Sequence, residues 1–395
     1  MLFRSPSFWV NAFGTIAFTQ KDGLWTLRLP AGKPERLVGG TSLEAPRFSP
    51  SGQWIAWLGN DAAHVISLHG GAPVTLSKAS RTQWLPGRDD LLTEDDDGLR
   101  LFIASNGFRA ATRQIPGANL PAVCSPNGSE IIYGDIVTRT GRLCRLAPDQ
   151  AGSAESVLVS KPLSALIPAA WMANGILYWE DPDFSASIMA DGLELRRISA
   201  QSPGVSTLLH EDTLAPSPDH TRLAISAGAG RYHWAEKRIA IVDPNTAGVR
   251  YLTDKSVAAV FPSWSPDGGR IAFSAAPSPA NSARLGGGEP ARRLLAARRI
   301  FVTGLAKPDA PKQLTDDSRY RDEKPMWSAD GSQILFCRID SGNNRTLWLM
   351  DSENASPAQV TGPLHANSGL PGEEGAWFGY YGYIDWRAMV DWSRQ

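Results

Sequence analysis

Short apolar segments separated by polar turns recur along the chain at intervals of about 40–50 residues, a period typical of propellers and repeat arrays. The clearest copies are residues 261–274 (FPSWSPDGGRIAFS), 325–336 (PMWSADGSQILF) and 46–57 (PRFSPSGQWIAW). Weaker copies occupy residues 124–133 and 216–225. In each copy an extended segment precedes a Ser-Pro-Asp-Gly-like turn, and a short apolar run follows it, as expected for a buried strand. Each copy therefore predicts a strand, a tight turn and a second strand.

Two further strands follow each copy. In the clearest unit they are predicted at residues 299–303 and 312–315, on either side of a polar loop. Four antiparallel strands of this kind make one blade, and a blade cannot bury both of its faces alone. The pattern therefore predicts an all-β propeller whose four-stranded antiparallel blades stack around an axis.

Seven positions along the chain are equivalent to Trp264 in the first strand of a blade: Phe48, Trp84, Cys124, Trp171, Pro216, Trp264 and Trp327. Residues 14–18, 24–28 and 35–38 have the pattern of second, third and fourth strands, and residues 383–386 that of a first strand. We therefore predict eight blades, closed by the N- and C-terminal strands, since closure removes an exposed sheet edge. Seven blades is the alternative if one weak repeat is not a complete blade.

A propeller of this size uses the whole chain, so we expect residues 1–395 to form a single domain. The net charge of −1 creates no field that favours nucleic acid or an anionic membrane. The chain has fourteen tryptophans. Five of them are predicted at the same blade position, where they would pack blade against blade: Trp84, Trp171, Trp264, Trp327 and Trp386.

The three cysteines, Cys124, Cys144 and Cys337, are too few and too widely spaced for a disulfide framework or a zinc site. No apolar run is long enough to span a bilayer. The first predicted strand begins too close to residue 1 to leave room for a signal peptide, so we expect a cytoplasmic protein. A periplasmic or secreted protein whose leader has been removed is the alternative.

Repeats of the type Pro-x-Trp-Ser-Pro-Asp-Gly-x-x-Ile-Ala-Phe resemble the WD40-like propeller repeats of the TolB and prolyl oligopeptidase families. The resemblance implies the fold and, from TolB, partner binding as a class of function. TolB has an additional N-terminal α/β domain, whereas propeller strands are predicted here from about residue 14. Prolyl oligopeptidases carry an α/β-hydrolase domain, and this chain contains no Gly-x-Ser-x-Gly nucleophile elbow, so their peptidase chemistry is not implied.

Two long insertions, residues 275–298 and 362–382, lie in loops that the topology places on one face of the ring and on adjacent blades. Long loops in compact domains are often functional. Candidate binding residues on this face are acidic in one sector and basic or aromatic in another: Asp95, Asp96, Glu180, Asp181, Tyr232, His233, Trp234, Arg292, Arg293, Trp377, Phe378, Tyr380 and Tyr381. The alternative is that each run is a solvated turn, or that the arginines lie on a short amphipathic helix.

These features favour a non-catalytic binding propeller that docks a protein or peptide on this face as a monomer. The alternative is a propeller hydrolase or lyase with a polar or metal site at the mouth of the central channel. The six histidines have no ligand spacing, so we predict no metal, no cofactor and no catalytic residue. Nucleic acid is not an expected partner.

The double variant Trp377→Ala/Tyr380→Ala tests whether the aromatic insertion is a binding surface. Exposed aromatics beside arginines are typical of interface hot spots. We expect the free energy of unfolding to stay nearly unchanged and partner binding to be lost. If the two side chains are core, the loss of stability should instead be about 3–5 kcal/mol in a denaturant titration, with binding retained.

Overall fold

The computed structural model describes residues 14–30, 32–147, 155–173, 175–181, 193–198, 203, 205–207, 213–228, 234–278, 288–365 and 382–393. These residues form eight four-stranded antiparallel sheets. The predicted eight-bladed, all-β propeller is confirmed, and no blade is missing from the ring. No described helix has the length and apolar character needed to cross a bilayer.

The strands of the first half of the ring are β1 (Gly14–Gln20), β2 (Gly23–Leu29), β3 (Glu35–Gly39), β4 (Glu44–Phe48), β5 (Trp54–Gly59), β6 (Ala62–Ser67), β7 (Val74–Lys78), β8 (Arg81–Trp84), β9 (Leu91–Asp95), β10 (Gly98–Phe102), β11 (Ala111–Pro116), β12 (Asn119–Cys124), β13 (Ile131–Val137), β14 (Thr140–Leu146) and β15 (Ser156–Pro162). Blade 1 is β4 to β7, blade 2 is β8 to β11 and blade 3 is β12 to β15.

The remaining elements are β16 (Ala165–Met172), β17 (Gly175–Asp181), β18 (Leu193–Arg197), β19 (Ser206–Thr207), β20 (Leu214–Pro216), β21 (Leu223–Ala227), β22 (Arg238–Asp243), β23 (Gly248–Tyr251), β24 (Val257–Trp264), β25 (Arg270–Pro277), α1 (Glu289–Ala296), β26 (Arg299–Gly304), β27 (Lys307–Gln313), β28 (Tyr320–Trp327), β29 (Gln333–Asp340), β30 (Arg345–Asp351), β31 (Ala355–Gln359) and β32 (Val390–Ser393). Blades 4 to 7 take four strands each from β16 to β31, and the closing blade joins β32 to β1, β2 and β3.

The turn between the first and second strands of a blade is held by its own side chains. In blade 6 the Ser265 hydroxyl donates to Asp267 at 2.5 Å, and the backbone N–H of Arg270 donates back to the Ser265 hydroxyl at 2.9 Å. Gly268 supplies the positive φ of 66° that this turn needs. The same bonds form in residues 328–333 of blade 7. The repeated Ser-x-Asp-Gly pattern therefore encodes a repeated turn.

Tryptophan side chains link blades 2, 6 and 7 to the blade before each of them. The indole N–H of Trp327 donates to the carbonyl of Ser263 at 3.0 Å, and that of Trp264 donates to Ala215 at 2.8 Å. The guanidinium of Arg270 lies 4.6 Å from the ring centre of Trp327, a cation–π contact. Both tryptophans are buried, so these bonds form away from water. The predicted role of the repeated tryptophans in blade packing is confirmed at these positions.

The closing strand lies seven residues later than the sequence predicts. Residues 383–386 do not form the missing first strand, and β32 pairs with β1 instead, with Trp392 opposite Ile16. Trp392, and not Trp386, therefore occupies the repeated blade position. Trp386 lies in a short 3₁₀ turn that the Asp385 side chain caps by accepting from Ala388. Residues 383–386 and 390–393 both fit the strand pattern. The long-range bond of Trp386 to Glu323 excludes the first segment from the closing strand.

The first strands are irregular at a proline. In β4, β24 and β28 the pairing register shifts at Pro46, Pro262 and Pro325, and the residue before each proline has a positive φ. Proline cannot donate to the ladder and is therefore found at bulges, where the bulged strand bends and its side chains are redirected. The three consecutive charged residues 321–323, just before the shift in β28, are all buried.

Deleting residues 390–395 tests the closure. The variant loses the strand that covers β1 and loses buried Trp392, so we expect the free energy of unfolding to fall by at least about 3–5 kcal/mol in a denaturant titration. Deleting residues 394–395 alone is the matched control and should change it by less than about 0.5 kcal/mol. Equal stability of the two deletions would show that β32 does not hold the ring together.

Candidate binding face

The first strands of the blades surround a cavity of about 1180 Å³, which we call the channel cavity. Its wall comes from β4, β8, β12 and β16, from residues of the second strands β5, β9 and β13, from Leu214 at the start of β20, and from the segment 383–391 that precedes and begins the closing strand. The loops that join second to third strands, and each blade to the next, lie at the end of the channel where the first strands begin. We call this end the upper face.

Eight charged side chains line the channel cavity: Glu44, Glu94, Asp135, Asp385, Asp391, Arg47, Arg81 and Arg387. Two of the carboxylates are paired with arginine. Glu94 lies 3.6 Å from Arg81, and Asp135 accepts from Arg142 at 2.8 Å. Asp391 of β32 accepts from the backbone N–H of Phe48 at 2.8 Å, which ties the closing strand to blade 1. These three of the five carboxylates in the wall therefore bind other groups of the protein and stabilise the fold.

Glu44 is the exception in this wall. At the start of β4 its carboxylate makes no hydrogen bond and no ion pair with any described residue. Burial, together with the negative charge of nearby Asp385, raises the pKa of Glu44 above its usual value. The cavity thus contains one half-buried carboxylate whose charge the described part of the protein does not balance.

An exposed apolar ridge lies beside the cavity on the upper face of blade 3. It consists of Ile136, Val137 and Leu163, whose exposed fractions are 52%, 46% and 48%. Ile136 and Val137 end β13, and the N–H of Leu163 donates to the carbonyl of Arg139 in the adjacent turn at 2.8 Å. Ile136 also lines the channel cavity, so the ridge meets the cavity at this residue. We call these three residues the blade 3 ridge.

On the other side of the ring, buried charges anchor the segment that leads into β32. Glu323 accepts from Arg321 at 2.5 Å, from the indole N–H of Trp386 at 2.6 Å and from Arg298. The carbonyl of Gly382 accepts from Arg321 at 2.9 Å and from Arg298 at 3.2 Å. Glu323 and Arg298 have no exposed surface. We call this group the Glu323 network.

Sequence reasoning did not find this network. Burial alone would raise the pKa of Glu323, but Arg321 and Arg298 outweigh that effect and hold the pKa below its usual value. The available signal was a run of charges, Arg-Asp-Glu at 321–323, in a position where a buried strand is predicted. Buried charges in such a position indicate partners from elsewhere in the chain.

The Arg-rich insertion forms a helix, as the alternative interpretation of these arginines predicts. In α1, Arg293 is exposed and lies 3.5 Å from Glu289 one turn away, whereas Ala291 and Leu295 are buried. Trp234 is fully buried against this buried side of the helix, so it supports α1 and offers no surface to a ligand. Arg292 and Arg293 are therefore the members of this group that can reach a partner.

The acidic candidates divide into exposed and buried side chains. Asp96 is exposed and lies 3.1 Å from Lys78, and Asp95 pairs with Arg100. Glu180 is buried and accepts from Lys161 at 2.7 Å and from Arg196 at 2.8 Å. Asp181 is also buried. Among the four, Asp96 is the one whose side chain is exposed to solvent.

The aromatic candidates and the candidate histidine lie outside the described residues: Tyr232, His233, Trp377, Phe378, Tyr380 and Tyr381.

One group of side chains in blade 3 has the composition of a cation site. Asp135, Cys144 and Glu155 place one potential ligand atom each within 4.8 Å of the others. Arg142 already binds both carboxylates, and the Tyr133 hydroxyl donates to Glu155 at 2.6 Å. Burial raises the pKa of the Cys144 thiol, which disfavours the thiolate that a metal needs. The group is therefore an ion pair that braces blade 3.

No protein-family model matches this chain, and no curated protein matches it. Among solved structures, a putative dipeptidyl aminopeptidase IV from Bacteroides ovatus superposes with a TM-score of 0.52 at 11% identity, over 88% of this chain and 59% of that one. A structure described as the eukaryotic initiation factor superposes with a TM-score of 0.52 at 13% identity, over 89% of this chain and 97% of that one. TolB from Acinetobacter baumannii superposes with a TM-score of 0.43 at 12% identity, over 89% of this chain and 65% of that one.

The fold comparison agrees with the repeat pattern. The likeness to the dipeptidyl aminopeptidase IV structure, at a TM-score of 0.52, agrees with the propeller fold that the repeats predict. This chain spans 65% of the length of that TolB and 59% of the length of that peptidase. At such low identities the likeness shows the propeller fold and no shared activity.

Substituting Glu323→Gln tests the Glu323 network. The variant leaves Arg298 and Arg321 buried without their carboxylate, so we expect a loss of about 3–5 kcal/mol in the free energy of unfolding. The pKa of Glu323 is lower in the folded state than in the unfolded state. Its contribution to the free energy of unfolding is therefore complete above the pKa of the unfolded state and is lost as the pH falls through the pKa of the folded state. The variant should therefore lose less stability on acidification than the wild type.

Glu353→Gln is the matched control for this measurement. Glu353 is 68% exposed and pairs with Arg270 at 2.5 Å, and an exposed ion pair of this kind contributes at most about 1 kcal/mol. Similar losses in the two variants, or an unchanged acid profile in Glu323→Gln, would contradict the structural role given to the network.

Proposed function

We propose that this protein is a non-catalytic binding propeller that docks a protein or peptide segment on its upper face. The observation that carries the proposal is the meeting of the channel cavity and the blade 3 ridge at Ile136. A cavity of about 1180 Å³ is large enough for several side chains of a docked segment. The ridge supplies exposed apolar surface at its rim.

Exposed large apolar side chains are unevenly distributed over the described residues. Four of the five, Ile136, Val137, Val157 and Leu163, belong to blade 3 or its connection to blade 4, and Ile136 lines the cavity. Exposed apolar groups collected at one place, with polar residues around them, are typical of interaction sites. This clustering supports docking on the upper face.

The remaining candidates extend the proposed surface around the ring. Arg292 and Arg293 on α1, and Asp96 in blade 2, belong to loops of the same face. The insertion with Trp377, Phe378, Tyr380 and Tyr381 connects β31 to the closing segment and starts and ends on this face. We propose that these residues contribute to docking by a single copy of the chain.

The alternative of a hydrolase or lyase has no specific observation in its favour among the described residues. The cavity carboxylates Glu94, Asp135 and Asp391 are held by arginines or by backbone N–H groups, and Glu44, which is not, belongs to no group of potential metal ligands among the described residues. A general acid or base must instead reach the proton it transfers. Binding is therefore the function that this surface supports best.

The double variant Ile136→Ser/Leu163→Ser tests the proposed surface. Both side chains are about half exposed, so the melting temperature should change little. We expect the proteins that co-purify with the wild type from its own cells, quantified by mass spectrometry, to fall at least tenfold, since truncating a hot-spot residue costs about 2 kcal/mol or more.

Val157→Ser is the matched control, because Val157 is 47% exposed and lies in the same blade but at the opposite, lower end of β15. It should retain the co-purified proteins. If the double variant retained them as well, the ridge would not be the docking surface.

A further inference from the structure

The charges that line the channel cavity are unbalanced. The wall carries five carboxylates and three guanidinium groups, a difference of two negative charges. Arg142 does not line the cavity and pairs with both Asp135 and Glu155, so counting this pair of outer charges leaves the difference at two. Glu44 is the lining carboxylate with no hydrogen bond or ion pair to a described residue, so it is the one available to a cationic ligand.

Two of the three arginines of the wall, Arg47 and Arg81, bind other groups of the protein. Arg47 donates to the carbonyl of Pro46 at 2.8 Å and to that of Arg387 at 2.6 Å. Arg81 donates to the carbonyl of Leu120 and faces Glu94. Both guanidinium groups therefore hold first strands and the closing segment in place. An anionic ligand would have to compete with these bonds and would also meet Glu44 and Asp385.

We propose that the channel cavity receives a lysine or arginine side chain of the docked peptide, with Glu44 as its counter-ion and Asp385 beside it, while apolar neighbours in the peptide rest on the blade 3 ridge. This proposal rests on the proposed function and names the chemistry of its ligand. A carboxylate in a partly enclosed cavity is screened less than one on the surface, so the ion pair discriminates more strongly between ligands.

The geometry of the ring makes this combination of contacts compatible with one short peptide. Glu44 belongs to blade 1, Asp385 to the segment that precedes the closing strand, and Ile136 to blade 3, and all three line the same cavity. The closing segment and blade 1 therefore supply the acidic contacts, and blade 3, on the far side of blade 2, supplies the apolar one. A peptide with a basic residue close to aliphatic or aromatic residues matches this surface in charge and in polarity.

Selection from a display library of random dodecapeptides on the immobilised full-length protein tests this proposal. We expect peptides selected by the wild type to be enriched in lysine or arginine near apolar residues. On Glu44→Gln/Asp385→Asn this enrichment should disappear. The control Asp61→Asn removes an exposed carboxylate from the upper face of the same blade, outside the cavity, and should keep the enrichment.

A calorimetric cycle then measures the proposed contact directly. The best selected peptide is compared with the same peptide carrying norleucine in place of its basic residue. We expect this change to weaken binding about tenfold on the wild type and about twofold or less on Glu44→Gln, as in a double-mutant cycle for one charge pair. Equal losses on both proteins would overturn the assignment of Glu44.

The selection also separates this proposal from the proposed function. If the selected peptides lack basic residues but no longer bind Ile136→Ser/Leu163→Ser, the docking surface stands and the cation site is wrong. If no peptide is enriched on the wild type, or if enriched peptides bind the ridge variant equally well, docking at this surface is itself contradicted, and the cation proposal fails with it.

Discussion

Closure of the ring by β32 is the constraint on which the other blades depend. Each blade is a four-stranded sheet whose faces are covered by its two neighbours, so a gap at one place exposes apolar surface on both sides of it. The pairing of β32 with β1 involves only four residue pairs. The segment that precedes it therefore has to be held by other means. The Glu323 network does this, since Trp386 and Gly382 both bind it directly.

Anchoring a chain terminus through buried charge has a physical cost and a physical benefit. Moving Arg298, Arg321 and Glu323 out of water is unfavourable, and well-packed apolar side chains would often serve stability equally well. Hydrogen bonds between charged groups are, however, directional, and they fix the path of residues 382–389 over blades 6 and 7. That path sets where Asp385 lies in the channel wall. We suggest that the network contributes to the shape of the binding face as well as to stability.

The two ends of the propeller differ in their loops: the turns at the lower end repeat from blade to blade, and the loops at the upper end do not. At the lower end the Ser-x-Asp-Gly turns repeat the same hydrogen bonds from blade to blade, which leaves little room for variation. At the upper end the described loops vary in length and composition, and they include α1 and the blade 3 ridge. We therefore expect partner recognition at the upper end, where the repeat pattern does not fix the loop sequences.

The sequence alone determined the repeat, the number of blades and the use of both termini in one blade, because turn chemistry and strand periodicity are local properties. It also placed the candidate loops on one face, since strand order fixes on which side each connection lies. Which C-terminal segment closes the ring was decided by the tertiary structure. Residues 383–386 and 390–393 are both short, partly apolar segments, and the bond of Trp386 to buried Glu323 commits the first of them elsewhere. The channel cavity, the ridge and the uncompensated charge of Glu44 likewise depend on residues from distant blades, which only the closed ring brings together.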